Sequence, residues 1–90
     1  MLHVVTSSPF TNTTLSRCLE FMRPDDLLLL VQDAVIASAT EKWVSVLQDK
    51  TVYVLNSDLV ARGLIAKIGN EIDMAGYVEL VIEAGSPLCW

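Results

Sequence analysis

Two cysteines are the residues of this chain best suited to covalent chemistry. Cys18 follows Ser16-Arg17, and Cys89 lies between Leu88 and Trp90. A thiol can carry sulfur when its thiolate form is favoured and solvent can reach it. The two cysteines are far apart in sequence, and with the single histidine of the chain they cannot supply four zinc ligands. We therefore expect no structural metal.

The surroundings of each cysteine in the sequence leave two interpretations open. Cys18 belongs to a set of apolar residues at helical spacing, which is Leu15, Cys18, Leu19 and Met22. A free cysteine on such a face is most simply a small core residue, and we favour that interpretation over sulfur chemistry. Cys89 lies in a tail that could be mobile and exposed or could dock through Leu88 and Trp90.

Polar residues interrupt two long apolar runs, over 27–35 and 52–63. Each run is typical of a buried parallel strand that leads into a helix. Ligands and partners usually meet such folds at the strand-to-helix turns. The candidate residues there are Asp33, Asn56, Asp58 and Arg62.

Structural roles compete with binding roles at these turns. Asp33 and Asp58 are more simply helix caps than an acid–base pair. Arg62 could hold an anion, but an ion pair with Asp58 four residues earlier is favoured. His3, inside a predicted strand with no second histidine or nearby nucleophile, is expected to be a partly buried, hydrogen-bonded side chain.

Apolar periodicity predicts strands alternating with helices along the whole chain. Helices are expected around Leu15–Met22 and Trp43–Leu47, from a Ser57 cap through Ala61 to Gly63, and around Tyr77–Ala84. Strands are expected at Leu2–Thr6, Leu27–Val31, Thr51–Leu55 and, more weakly, Glu71–Met74. This order predicts one α/β domain over residues 1–90, a small Rossmann-like or flavodoxin-like fold with a mainly parallel sheet of about four strands and helices on both faces.

Composition limits the classes of partner. Apolar residues make up 52% of the 90 residues and charged residues only 19%, so we expect some apolar surface to face a partner subunit. The net charge of −5 argues against direct binding to nucleic acid. No segment resembles a signal peptide or a membrane span, and 6–12 contains no glycine-rich phosphate loop. We expect a cytoplasmic protein without a cofactor.

In this order these residues resemble the DsrH/TusB family of sulfur-relay subunits. The resemblance rests on Leu2-His3, Ser8-Pro9-Phe10, the segment 28–35, Asp58-Leu59-Val60-Ala61-Arg62-Gly63 and a final aromatic, Trp90. It implies a cytoplasmic heterohexamer with TusC/DsrF-like and TusD/DsrE-like subunits, in which sulfur travels as a cysteine persulfide. The main sulfur-carrying cysteine would then belong to another subunit.

The resemblance does not decide between two functional branches of the family. One branch of the family serves 2-thiouridine formation at the tRNA wobble position, and the other serves dissimilatory sulfur oxidation. Some members have a cysteine where Cys18 lies, so a sulfur carrier acting through Cys18 is the second hypothesis. A stand-alone homodimer that binds a small ligand through Asp33, Asn56 and Arg62 is the third. Asp58 and Trp90 complete the expected partner surface.

Overall fold

The computed structural model describes residues 1–90, and its centre is a five-stranded, all-parallel sheet. The strands are β1 (Leu2–Val5), β2 (Leu27–Leu30), β3 (Thr51–Leu55), β4 (Asn70–Ile72) and β5 (Leu88–Cys89), in the spatial order β4-β3-β2-β1-β5. The three central strands are rich in leucine and valine, as expected for strands covered on both faces.

Four α-helices and one 3-10 helix connect the strands. They are α1 (Thr14–Phe21), the 3-10 helix (Gln32–Ala39), α2 (Glu41–Leu47), α3 (Asn56–Ala61) and α4 (Met74–Ala84). Gly63 follows α3 with φ +64°, the left-handed conformation that glycine adopts without strain. The predicted end of this helix is therefore confirmed.

The two faces of the sheet are packed differently. On one side, here called the covered face, α1, the 3-10 helix, α2 and α3 enclose a cluster of 13 buried residues. On the other side, the α4 face, five residues are buried, and α4 is the helix that packs against them. Those five residues are Leu2, Val4, Leu29, Val31 and Leu55. Alternate residues of a strand point to opposite faces, which is how neighbouring leucines serve both clusters.

The predicted fold class is confirmed, with one strand more than expected. The strand missed is β5, in which Leu88 pairs with His3 and Cys89 with Val4. Two residues are too few to show an alternation of apolar and polar side chains. The weak fourth strand lies at Asn70–Ile72 rather than Glu71–Met74, because Met74 already begins α4.

Helix starts differ from the prediction in detail. Helix α3 begins at Asn56, so Ser57 is inside the helix and does not cap it. The segment after β2, where the strand was expected to lead into a helix, forms an eight-residue 3-10 helix. Runs of this kind rarely exceed one turn. Here packing stabilises it, because Ala34, Val35 and Ala37 belong to the covered-face cluster.

Candidate functional site

Three of the predicted site residues meet at the carboxyl edge of the sheet, after β2 and β3. The guanidinium of Arg62 donates from Nε and Nη2 to Oδ1 of Asp33, at 3.1 and 3.0 Å. Its Nη1 donates to the backbone oxygen of Asp58 at 3.2 Å and lies 3.5 Å from Asp58 Oδ1. The expected Asp58–Arg62 ion pair is present, and Asp33 makes the closer contact.

The second oxygen of Asp58 stabilises an unusual backbone conformation. Oδ2 accepts a hydrogen bond from the backbone N–H of Gln32 at 2.6 Å. Gln32 has φ +49° and is the one residue other than glycine with a positive φ. This conformation is sterically unfavourable for a side chain larger than hydrogen, so a strong acceptor at the N–H compensates part of its cost.

Both aspartates lie in the first turn of a helix, as expected, but the predicted cap hydrogen bonds are absent. Asp58 accepts from a residue 26 positions earlier and not from its own helix, and α3 has no side-chain cap. Asp33 accepts from Arg62, and the 3-10 helix that contains it also lacks a side-chain cap. Both carboxylates instead meet partners that are distant in sequence, because the strand ends lie side by side.

Asn56 lies apart from this group. Its side-chain amide donates to Glu71 Oε1 at 2.8 Å, which links the start of α3 to β4. Arg62 and Asp33 line an open depression of about 320 Å³ together with Ser8 and Thr11. Because the guanidinium already contacts two carboxylates, the depression offers no uncompensated positive charge to an anion. The three residues of the ligand-binding hypothesis therefore do not converge on one pocket.

A second cleft, of about 420 Å³, opens between the carboxyl edge of the sheet and α4. Its walls include Val4 and Leu55 from the sheet, Tyr77 from α4, and Asp58. Cys89 also lines this cleft and is exposed. The thiol that solvent can reach is therefore on the α4 face, next to the strand-to-helix turns.

Cys18 has the opposite environment. Its side chain is fully buried in the covered-face cluster with Leu15 and Leu47. Burial raises the pKa of the Cys18 thiol to about 12, and the negative charge of Asp26 contributes to the increase. Since the thiolate is the nucleophilic form, this thiol is neither ionised near neutral pH nor reachable by a sulfur donor. These surroundings are those of a core residue.

Trp90 docks on the edge of the covered face. Its backbone N–H donates to the oxygen of Val4 at 2.9 Å, and its indole Nε1 donates to Nδ1 of His3 at 3.1 Å. The ring also packs edge-on against Phe21, with the ring centroids 5.6 Å apart. Of the two alternatives for the tail, the structure shows the docked one.

His3 connects Trp90 to Asp26. Because Nδ1 of His3 accepts from the indole, its proton is on Nε2, which donates to Asp26 Oδ2 at 2.8 Å. The hydrogen bond from His3, followed by one from the backbone N–H of Arg23, holds the pKa of Asp26 well below its usual range. His3 is fully buried, more so than the partly buried side chain expected.

Asp26 was missed as a partner of His3, although the sequence contains a signal for it. A polar residue between apolar strand residues needs a hydrogen-bond partner. Leu2 is in register with Leu27, so the residue before β2 lies beside the start of β1. Parallel pairing of the first two strands would therefore have indicated Asp26.

Two other features bear on the type of site. No three His, Cys, Asp or Glu side chains lie close enough together to hold a metal ion. None of the helices has the length and apolar character needed to cross a bilayer.

The fold and the residues at the carboxyl edge of the sheet together define a small α/β protein with a parallel sheet, a buried thiol on one face and an exposed thiol on the other.

Residues 7–86 match the protein family described as DsrH like protein. The chain is 36% identical to Protein TusB of Shigella dysenteriae serotype 1 over 96 aligned positions that cover both proteins completely. It is 35% identical to Protein TusB of Escherichia coli O1:K1, again over the full length of both.

The chain belongs to the DsrH family. This confirms the resemblance drawn from Leu2-His3, the segment 28–35 and the segment 58–63, which places the chain among the sulfur-relay subunits. The match to the family covers Cys18, Asp33, Asn56, Asp58 and Arg62, and His3, Cys89 and Trp90 lie outside it.

Proposed function

We propose that this chain is a non-catalytic subunit of a cytoplasmic sulfur-relay complex that serves 2-thiouridine formation at the tRNA wobble position. Its sister subunits would be TusC/DsrF-like and TusD/DsrE-like chains in a heterohexamer. The full-length similarity to two proteins named TusB favours this branch of the family over dissimilatory sulfur oxidation. The persulfide would travel on a cysteine of a sister subunit.

The burial of Cys18 is the observation that carries the accessory role. A sulfur carrier needs a thiolate that can attack a persulfide and then release sulfur to an acceptor. Cys18 is fully buried, and its pKa is raised to about 12. The second hypothesis, a sulfur carrier acting through Cys18, would require α1 to leave the sheet at each transfer.

Complementation tests the role in cells. In a strain that lacks its own copy of this subunit, we expect the wild-type chain and Cys18→Ala to restore tRNA 2-thiouridine equally. Alanine is small and apolar, so it suits the core position without supplying a thiol. Cys89→Ala is the matched variant for the exposed thiol, and it is also expected to restore thiolation.

The outcomes separate the hypotheses. Loss of 2-thiouridine in Cys18→Ala with the complex still assembled would establish Cys18 as a carrier. Failure of the wild-type chain to restore 2-thiouridine, although it assembles with the sister subunits, would exclude the tRNA branch. Recovery of tRNA thiolation without any assembly would contradict the subunit role.

Thiol labelling checks the same point on the purified protein. We expect the exposed thiol of Cys89 to react rapidly near neutral pH. The buried thiol of Cys18 should react at least about a hundredfold more slowly until the protein is unfolded. Cys89→Ala should remove the fast reaction, whereas Cys18→Ala should leave it unchanged. A fast reaction at Cys18 in the folded protein would contradict the burial of this thiol.

A further inference from the structure

The α4 face of the sheet is incompletely covered. Helix α4 packs against it through Tyr77, Leu80, Val81 and Ala84, yet none of its residues is fully buried. Three residues of the underlying sheet, Leu27, Tyr53 and Ile72, are also only partly buried. On the covered face, by contrast, each of the helices α1, α2 and α3 has at least one buried residue in the cluster, although Leu19 of α1 is only partly buried.

The outer side of α4 is apolar as well. Met74, Val78 and Ile82 are exposed to 58%, 50% and 73%. Their spacing of four residues places them in one row along the helix. Single exposed apolar residues are common, but a continuous row beside an incompletely buried face marks an interaction surface. We call these three residues the α4 stripe.

The chain segment that contains the α4 stripe has charged side chains of one sign only. From Ile68 to Trp90 there are four acidic side chains and no lysine, arginine or histidine. The two on α4, Glu79 and Glu83, form no ion pair. A second copy of this chain would bring the same glutamates towards each other, on molecules that each have a net charge of −5. Like charges facing one another across an interface oppose association.

From this geometry we propose that the α4 stripe is the docking surface for a sister subunit that presents an apolar helix or strand face bordered by lysine or arginine. The proposal rests on the subunit role above and assigns that role to one side of the molecule. Apolar side chains of the partner cover Met74, Val78 and Ile82, and its basic residues pair with Glu79 and Glu83. Such pairs fix the orientation of the partner and exclude self-association.

The test uses co-expression with the two sister subunits and measures the mass of the assembly and its dissociation constant. Val78→Gln and Ile82→Gln place a polar group in the interface, and each should weaken association at least about tenfold. Val60→Gln, on α3, is the matched control because Val60 is an equally large apolar side chain exposed to 71%. This control should change the affinity less than about twofold.

Charge is tested separately. Glu79→Lys with Glu83→Lys leaves the apolar row intact and should weaken association with the sister subunits, while association of the wild type should weaken as salt is raised. Glu20→Lys, on α1, is the control for a change of net charge. Far-UV circular dichroism of each variant establishes that it is folded before its affinity is interpreted.

Three outcomes would overturn the proposal. If the stripe variants assemble as the wild type does, the sister subunit docks elsewhere and the subunit role stands. If the wild type forms a homodimer that Val78→Gln dissociates, a second copy is the occupant. If the wild-type chain associates with neither sister subunit, the subunit role itself fails, which is distinguishable from the first two results.

Discussion

The two faces of one sheet differ in how much of their apolar surface the chain itself covers. Three α-helices and the 3-10 helix enclose the 13 buried residues of the covered face, whereas α4 alone lies over the five on the α4 face. Both faces are built from the same leucine- and valine-rich strands. Folding alone buries much more of the covered face than of the α4 face, which is the face that the proposal above assigns to a sister subunit.

The two cysteines follow the same division. Cys18 is enclosed on the covered face, and Cys89 is exposed in the cleft beside α4. The thiol of the sulfur-carrier hypothesis, Cys18, is the one that the fold buries and keeps protonated. Thiol chemistry on this subunit, if it occurs, would therefore belong to the side that faces the cleft.

Truncating a leucine on each face should give the largest difference in the free energy of unfolding. Leu47→Ala, on the covered face, removes a fully buried side chain and should lower the free energy of unfolding by about 2–5 kcal/mol. Leu80→Ala, in the half-buried inner side of α4, should cost about 1–2 kcal/mol in the isolated chain. Leu47 is the last residue of α2 and Leu80 lies within α4, but leucine and alanine are both good helix formers, so the burial of the side chain dominates at both positions.

Urea unfolding of the two variants provides the measurement. Equal losses of stability would mean that α4 is packed as tightly as the opposite helices, and the contrast between the faces would be lost. In the assembled complex Leu80→Ala should lower the free energy of unfolding by more than in the free chain, because the partner would bury the part of α4 that is exposed in the free chain.

The pH dependence of stability should come partly from Asp26. Its pKa is lowered in the folded protein by the hydrogen bond from His3. The ionised carboxylate therefore contributes stability above the unfolded pKa of about 4, and this contribution declines as the pH falls towards the folded value. Asp26→Asn should be less stable than the wild type at pH near 7 and should lose less stability on acidification.

Asp25→Asn is the control for this prediction, since Asp25 is exposed and its carboxylate makes no hydrogen bond. The prediction is tested by measuring the denaturant midpoints of the wild type and both variants across the acid range. Parallel curves for the wild type and Asp26→Asn would show that the His3–Asp26 contact adds nothing to the covered face.

The ion pairs at the carboxyl edge of the sheet should contribute least to the stability of the fold. Arg62 contacts Asp33 and Asp58, but the carboxylate of Asp33 is 71% exposed. Exposed pairs of this kind are worth about 1 kcal/mol or less, so Arg62→Ala should lower the free energy of unfolding by no more than that. Thermal unfolding at low and high salt measures this effect. A loss of unfolding free energy larger than about 1 kcal/mol would indicate that the ion pairs at the carboxyl edge stabilise both faces of the sheet.

Sequence reasoning predicted the elements that long apolar runs define and missed those that depend on distant neighbours. β2 and β3 were evident because a buried parallel strand is continuously apolar. β5 was missed because its two residues are held by pairing with His3 and Val4. The role of Asp58 was also missed, since its acceptor function depends on Gln32, whose N–H reaches it only after β2 and β3 pair.

Hydrogen exchange of the backbone amides in α4 tests most directly whether a partner completes the α4 face. In the isolated chain, amides of Met74–Ala84 should exchange faster than those of Glu41–Leu47 in α2, because less apolar packing opposes local opening. In the complex with its sister subunits, α4 amides should slow at least about tenfold and more than those of α2. Unchanged exchange in α4 on assembly would contradict the account.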